Sequence, residues 1–154
     1  GAGNVRLGLS SDADTGKITA LYRPDGSGNF RTIIRERQER YARLPIPRVF
    51  LPGEKALTVS RHEGTDAVYE LDLKTMELGR KVFGDPKYDI DDIDTTPTGD
   101  ALESIDITRD RRETIWFDAR LKDIQAALDE TSGRGVATIV SADKPRQNIL
   151  FHVG

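Results

Sequence analysis

The chain of 154 residues contains no cysteine. That absence excludes a disulfide scaffold, a thiolate metal site and a cysteine nucleophile, and it leaves the redox compartment open. Aromatic residues are scarce, at 6% with a single tryptophan, so a core must be built mainly from aliphatic side chains. No apolar run approaches the ~18 residues that a membrane-spanning helix requires, and no signal-peptide hydrophobic region opens the chain. Excess charge of one sign is also missing: 23 Lys and Arg face 26 Asp and Glu, a net charge of −3. Such a balance gives no overall electrostatic reason to bind nucleic acid or an anionic membrane. The two histidines, His62 and His152, stand far apart. Without cysteine or an H-x-x-x-H spacing they read as exposed or packed side chains and not as metal ligands.

What is present is a balance of 36% hydrophobic and 32% charged residues, which suits one soluble globular domain with a modest core. The Gly1-Ala2-Gly3 start resembles a cloning remnant, so residues 1–4 are set apart from a domain at 5–154. Short strands separated by turn chemistry run along that domain. Val5 to Ser10 carries Val5, Leu7 and Leu9 on one face, Asp12-Ala13-Asp14-Thr15-Gly16 reads as a turn, and Lys17 to Arg23 as the returning strand. Pro24-Asp25-Gly26-Ser27-Gly28-Asn29 is a second turn, followed by a strand from Phe30 to Ile34. Glu36 to Pro47 is charged and ends in Leu44-Pro45-Ile46-Pro47, a connector with room for one helical turn.

Residues 48 to 84 form the most regular stretch. Strands are expected at Val49–Leu51, Ala56–Ser60, Ala67–Leu73 and Leu78–Phe83, with turns at Pro52-Gly53-Glu54 and His62 to Asp66. Four antiparallel strands in so short a stretch match the ~40 residues per blade of a β-propeller. Ile90–Thr95, Leu102–Ile107 and Arg112–Asp118 repeat the first three strands. A helix then interrupts: Asp118 is a good N-cap, Leu121, Ile124 and Leu128 follow at helical spacing, and Gly133 can close the C-terminus. Its apolar stripe is expected to pack on the strand of Trp116 and Phe117, with Trp116 itself read as blade packing. Val136–Val140 and Asn148–Val153 continue the series. The expected fold is therefore all-β with one short helix, a partial antiparallel β-propeller. It comprises a partial blade at 5–36, a complete blade at 48–84, a blade at 89–141 with a helical insertion at 119–131, and the start of another unit at 142–154.

The stretch Phe50-Leu51-Pro52-Gly53-Glu54-Lys55-Ala56-Leu57-Thr58-Val59-Ser60, followed by Ala67-Val68-Tyr69-Glu70-Leu71-Asp72-Leu73, resembles the "F-x-P-D-G-K-x-L-x-V-S … x-L-Y-x-x-D-L" blade of TolB-like propellers and of prolyl oligopeptidase-type serine peptidases. Asp85-Pro86-Lys87-Tyr88-Asp89-Ile90-Asp91, then Thr114-Ile115-Trp116-Phe117-Asp118, the helix and Ile139-Val140-Ser141 are similar, in this order, to the bacterial acylaminoacyl-peptidase-like and dipeptidyl-aminopeptidase-like members. Gly53-Glu54 departs from the usual Asp-Gly, and Ala119 from the usual proline. The resemblance implies a fragment of about three blades, incomplete at both ends, from a peptidase propeller that covers the active site and selects short peptides. Its partners would be the α/β-hydrolase domain of the parent protein and, through the parent, peptide substrates. Exposed strand edges would also allow self-association. A free-standing TolB-like binding domain is the alternative, and a small β-sandwich a third possibility; cytoplasm and periplasm are not separated.

No catalytic, cofactor-binding or metal-ligating residue is assigned, and no cofactor is expected. The G-x-S-x-G nucleophile motif is absent, since Gly8-Leu9-Ser10-Ser11-Asp12 lacks the final glycine and sits in a hairpin. Asp85, Asp89, Asp91, Asp92 and Asp94 form an acidic run that reads as a solvated loop and strand edge, because Ile93 stands where a calcium loop needs a ligand. Arg31, Arg35, Arg37, Arg40, Arg43 and Arg48 read as a solvated edge neutralised by Glu36 and Glu39, with contact to a neighbouring domain as the alternative. Gly26-Ser27-Gly28 reads as a turn, for no helix follows to make it a phosphate loop.

Overall fold

A computed structural model describes residues 4–25, 28–37, 43–133, 136–143 and 145–154. Among them are twelve strands and one helix: β1 (Leu7–Asp12), β2 (Lys17–Tyr22), β3 (Arg31–Arg37), β4 (Val49–Leu51), β5 (Lys55–Ser60), β6 (Ala67–Asp72), β7 (Leu78–Phe83), β8 (Ile90–Thr95), β9 (Leu102–Thr108), β10 (Arg112–Trp116), α1 (Ala119–Thr131), β11 (Ala137–Ala142) and β12 (Ile149–Val153). They build four sheets, ordered β1-β2-β3, β4-β5-β6-β7, β8-β9-β10 and β11-β12. Sheet neighbours are always consecutive in the chain, as short turns between antiparallel strands dictate. No sheet closes on itself. The molecule is thus mostly antiparallel β with one helix.

Two compact units divide the chain, Gly1–Ile90 with Thr95–Leu102 and Asp91–Asp94 with Glu103–Gly154. In the first, β5 and β6 are buried almost throughout, and they read as near-continuous apolar or small residues because both faces are covered. Buried Thr58 satisfies its hydroxyl on the Ile46 carbonyl at 2.8 Å. Tyr22 of the first sheet joins Ala56 and Leu71 of the second, and Leu73 just after β6, in one core cluster, edged by Ile33, Phe50, Met76 and Leu78. Arg31 locks the same junction by donating to Glu54 and to the Leu73 carbonyl, both at 2.9 Å.

One turn occurs twice in this unit. In Asp12-Ala13-Asp14-Thr15-Gly16, joining β1 to β2, the Asp12 carboxylate accepts the amides of Asp14 and Thr15 at 3.0 and 3.2 Å. In Asp72-Leu73-Lys74-Thr75-Met76, leading from β6 to β7, Asp72 accepts those of Lys74 and Thr75 at 2.7 and 3.2 Å. The fifth residue of each turn is left-handed, Gly16 at φ 66° and Met76 at φ 60°. Glu54, where Gly53-Glu54 replaces the usual Asp-Gly, is also left-handed at φ 56°. Its position is held because its carbonyl accepts the Leu73 amide at 2.9 Å and its carboxylate pairs with Arg31 and Lys74.

In the second unit Ile93, Ile105, Ile107, Leu121, Ala137 and Ile139 are buried. The N-cap expected of Asp118 is formed, its carboxylate accepting the Leu121 amide at 2.9 Å, and left-handed Gly133 follows the C-cap Ser132. The helix packs on β10 and β11. Its expected three-residue apolar stripe is only partly buried: Leu121 is enclosed, whereas Ile124 and Leu128 are half-buried, as befits a helix lying over the margin of two small sheets. Strand β11 pairs with β12, not with β10, so residues 137–141 stand in one sheet with the final strand and not in the sheet of the 89–116 series. The apolar face expected on the first strand also differs. Val5 lies outside β1 and is 57% exposed, and Leu9, on the edge strand β1, is 56% exposed.

Candidate functional site

Most of the sequence candidates are occupied with holding the fold. Asp85 closes its own turn by accepting the amides of Lys87 and Tyr88 at 2.9 and 3.3 Å. Asp89 accepts the Asp66 amide at 2.8 Å and pairs with Arg61 at 2.5 Å. Asp91 accepts from the Thr108 hydroxyl, Asp94 from that of Ser104, and Asp92 from the amide of Ile93. The acidic run therefore spends its carboxylates on separate partners. Among the described residues no group of three or more His, Asp or Glu side chains could hold a metal ion. His62 is exposed and sits edge-on to Tyr69 at 6.0 Å, and His152 is exposed on β12.

The arginine series separates in the same way. Arg43 and Arg61 both reach the buried carboxylate of Asp66 at 3.1 Å, and this contact holds the Arg61 guanidinium above its ordinary pKa. Arg35 and Arg37 are exposed on β3. Arg40 and the helical turn allowed in the connector lie outside the described residues, as do Gly26 and Ser27. Ser10 is an exposed strand residue opposite Thr19. Trp116 is half-buried on β10, and its indole N–H is enclosed with no acceptor.

Two clefts remain. One, of about 440 Å3, lies in the second unit between β10, α1 and β11. Its polar groups are committed to one another: Arg112 and Thr114 hold Asp106 at 2.6 and 2.7 Å, and Gln125 bridges Asp129 and the Ala137 carbonyl at 2.9 and 2.8 Å. The other, of about 600 Å3, lies in the first unit and is bordered by Arg6, Tyr22, Pro24, Phe50, Pro52 and Asp100.

Local sequence explains how this second cleft arises. Tyr22 ends β2, Phe50 is central in the short β4, and the Pro52-Gly53-Glu54 turn raises a wall beyond it. The Tyr22 and Phe50 rings stack at 5.8 Å. Arg6 covers the Phe50 face at 4.7 Å, and Arg31 covers Tyr22 at 5.3 Å. Among the described residues Arg6 makes one side-chain hydrogen bond, to the Tyr22 hydroxyl at 3.3 Å, and its enclosed Nε finds no acceptor there. Asp100 accepts from the hydroxyls of Thr96 and Thr98, and the Thr98 contact above all keeps its carboxyl below the usual carboxylate range. Sequence reading missed this cleft because Arg6 carries no motif. The one available signal was a basic residue beside the first strand in a chain where aromatic partners are few.

Comparison with protein-family models, with curated proteins and with solved structures gives no match.

Proposed function

We propose that the chain is a non-catalytic propeller segment of a prolyl oligopeptidase-like serine peptidase, a module that covers the active site and admits short peptides. The observation that carries this reading is the meander β4-β5-β6-β7, four consecutive antiparallel strands within residues 49–83. That is the strand number, order and length of a propeller blade. The flanking three-stranded meanders support a unit that repeats. The functional half of the reading rests on the resemblance at Phe50–Leu73 and Asp85–Asp118.

The test is to label the natural full-length polypeptide with a fluorophosphonate serine-hydrolase probe and assay it on peptides of graded length. Labelling, with cleavage that falls off for long or folded substrates, is the expected result. A polypeptide that takes no label overturns the peptidase reading, and with a blade fold intact it favours the free-standing TolB-like binding domain. On this reading the chain alone hydrolyses neither activated esters nor aminoacyl substrates, and Ser10→Ala changes nothing.

A further inference from the structure

We propose that the cleft beside Arg6 binds a carboxylate, held by the Arg6 guanidinium, on a ligand whose apolar body rests against Pro24, Phe50 and Pro52. This assignment is independent of the peptidase reading, because it rests on the cleft alone. Five arginines of the same unit have an acid or carbonyl partner. Arg31 has Glu54, Arg43 and Arg61 have Asp66, Arg80 has Glu70, and Arg23 has the Val5 carbonyl at 2.7 Å. Arg6 has no carboxylate and no carbonyl partner among the described residues; its side chain donates only to a neutral phenol, at 3.3 Å. A guanidinium offers five donors in a planar fork suited to a carboxylate, and a charged acceptor is worth more than a neutral one. Stacking over Phe50 at 4.7 Å holds the fork in place, so little ordering cost is left for a ligand.

The acids at the rim do not supply the missing partner. Glu54 is paired with Arg31 at 2.9 Å and Lys74 at 3.5 Å. Asp100 is held by two threonine hydroxyls on its own turn. Counting Arg6, Arg31 and Lys74 against Glu54 and Asp100 leaves one positive charge, so the cleft is net cationic. A bare inorganic anion would gain nothing from the two prolines and the Phe50 edge, whereas an apolar carboxylic acid covers them. A peptide C-terminus and an acidic side chain present the same group, and the probes separate them.

The experiment is a titration of the 15N-labelled full chain, followed by amide resonances, with N-acetyl-leucine, N-acetyl-leucine amide, N-acetyl-aspartate amide and inorganic phosphate. The acid should shift the amides of Arg6, Tyr22, Leu51, Gly53 and Glu54. The uncharged leucine amide should bind at least ~10-fold more weakly, the effect of losing one charged hydrogen-bonded contact. Tighter binding of N-acetyl-leucine identifies a C-terminal carboxylate, and tighter binding of N-acetyl-aspartate amide a side-chain one. Arg6→Gln should abolish the acid's advantage, Arg6→Lys should retain part of it, and Asp100→Asn should tighten binding by removing a like charge. Should Arg6→Gln unfold, the acid-to-amide ratio of the wild type and the direction of the Asp100→Asn effect still decide. Equal binding of acid and amide, phosphate binding as tightly as the acids, or no tightening with Asp100→Asn overturns the assignment.

Discussion

Tyr22 and Phe50 lie face to face, ring centroids 5.8 Å apart and planes 8° from parallel, one from β2 and the other from β4. The pair joins two sheets that share no backbone ladder. Tyr22 is fully enclosed, so its removal empties space next to Ala56, Leu71 and Leu73. Tyr22→Ala should cost about 3–5 kcal/mol in urea unfolding. The stacking contribution is isolated by a cycle of Tyr22→Leu, Phe50→Leu and the double variant, with an expected coupling of about 0.5–1.5 kcal/mol. Additive single variants would mean that the two rings are neighbours without energetic contact.

This junction also marks where sequence reading stops. Strand periodicity and turn residues located the hairpins, and Asp118 and Gly133 bounded the helix, because those signals are local. Sheet membership is not local: β11 could be read as the fourth strand of the preceding sheet, and only its pairing with β12 settles the matter. Burial fails for the same reason. Leu9 and Leu121 are equally apolar, yet one sits on a bare edge strand and the other under a helix. The arginines looked like one basic cluster along the chain, and it is tertiary placement that gives Arg31 to Glu54 and Arg43 to Asp66 while leaving Arg6 without an acid.

The helix gives a graded prediction. Leu121 is the enclosed member of its stripe, so Leu121→Ala should cost about 2–5 kcal/mol. Ile124 and Leu128 are half-buried and should each cost less than Leu121 when changed to alanine. Denaturant midpoints of the three single variants test the order. Equal losses would show a stripe buried along its whole length, and three neutral results would remove the packing of α1 altogether.

Acid should loosen the turns. Asp12, Asp72 and Asp143 all titrate below the ordinary aspartate range, chiefly because backbone amides donate to them: that of Thr15 to Asp12, that of Lys74 to Asp72 and that of Asn148 to Asp143. A carboxylate whose folded pKa is depressed stabilises the fold above its unfolded pKa, about 3.9 for aspartate, and loses that contribution as pH falls through the folded value. The urea midpoint should therefore stay level from pH 7 to about pH 5 and fall below about pH 4. Asp72→Asn keeps an oxygen acceptor for the turn but removes the titration, so its midpoint should decline less steeply over the acid range. A variant that follows the wild-type curve throughout would show that Asp72 is not among the groups responsible.

Strand β12 should mediate association with a second copy of the chain. Among the described residues its only sheet neighbour is β11, and the second edge of a two-stranded ribbon is a template for another strand. Leu150, Phe151 and Val153 are exposed, and Ile149–Val153 holds no proline, lysine or carboxylate to repel a partner. Opposite the buried Ile139 and Ala137 of β11 stand the exposed Phe151 and Val153. The helix contacts β10 and β11. The segment is also self-complementary. Two antiparallel copies centred on Phe151 set Ile149 against Val153, Leu150 against His152 and Phe151 against its counterpart, opposing no like charges, as a two-fold interface requires. Light scattering over a concentration series should show a monomer–dimer equilibrium, and Phe151→Lys should return it to monomer. Lysine at Val82 of β7, an exposed site in the first unit, should not. A monomer at every concentration, with β12 amides protected from hydrogen exchange, would mean that this edge is already covered within one chain.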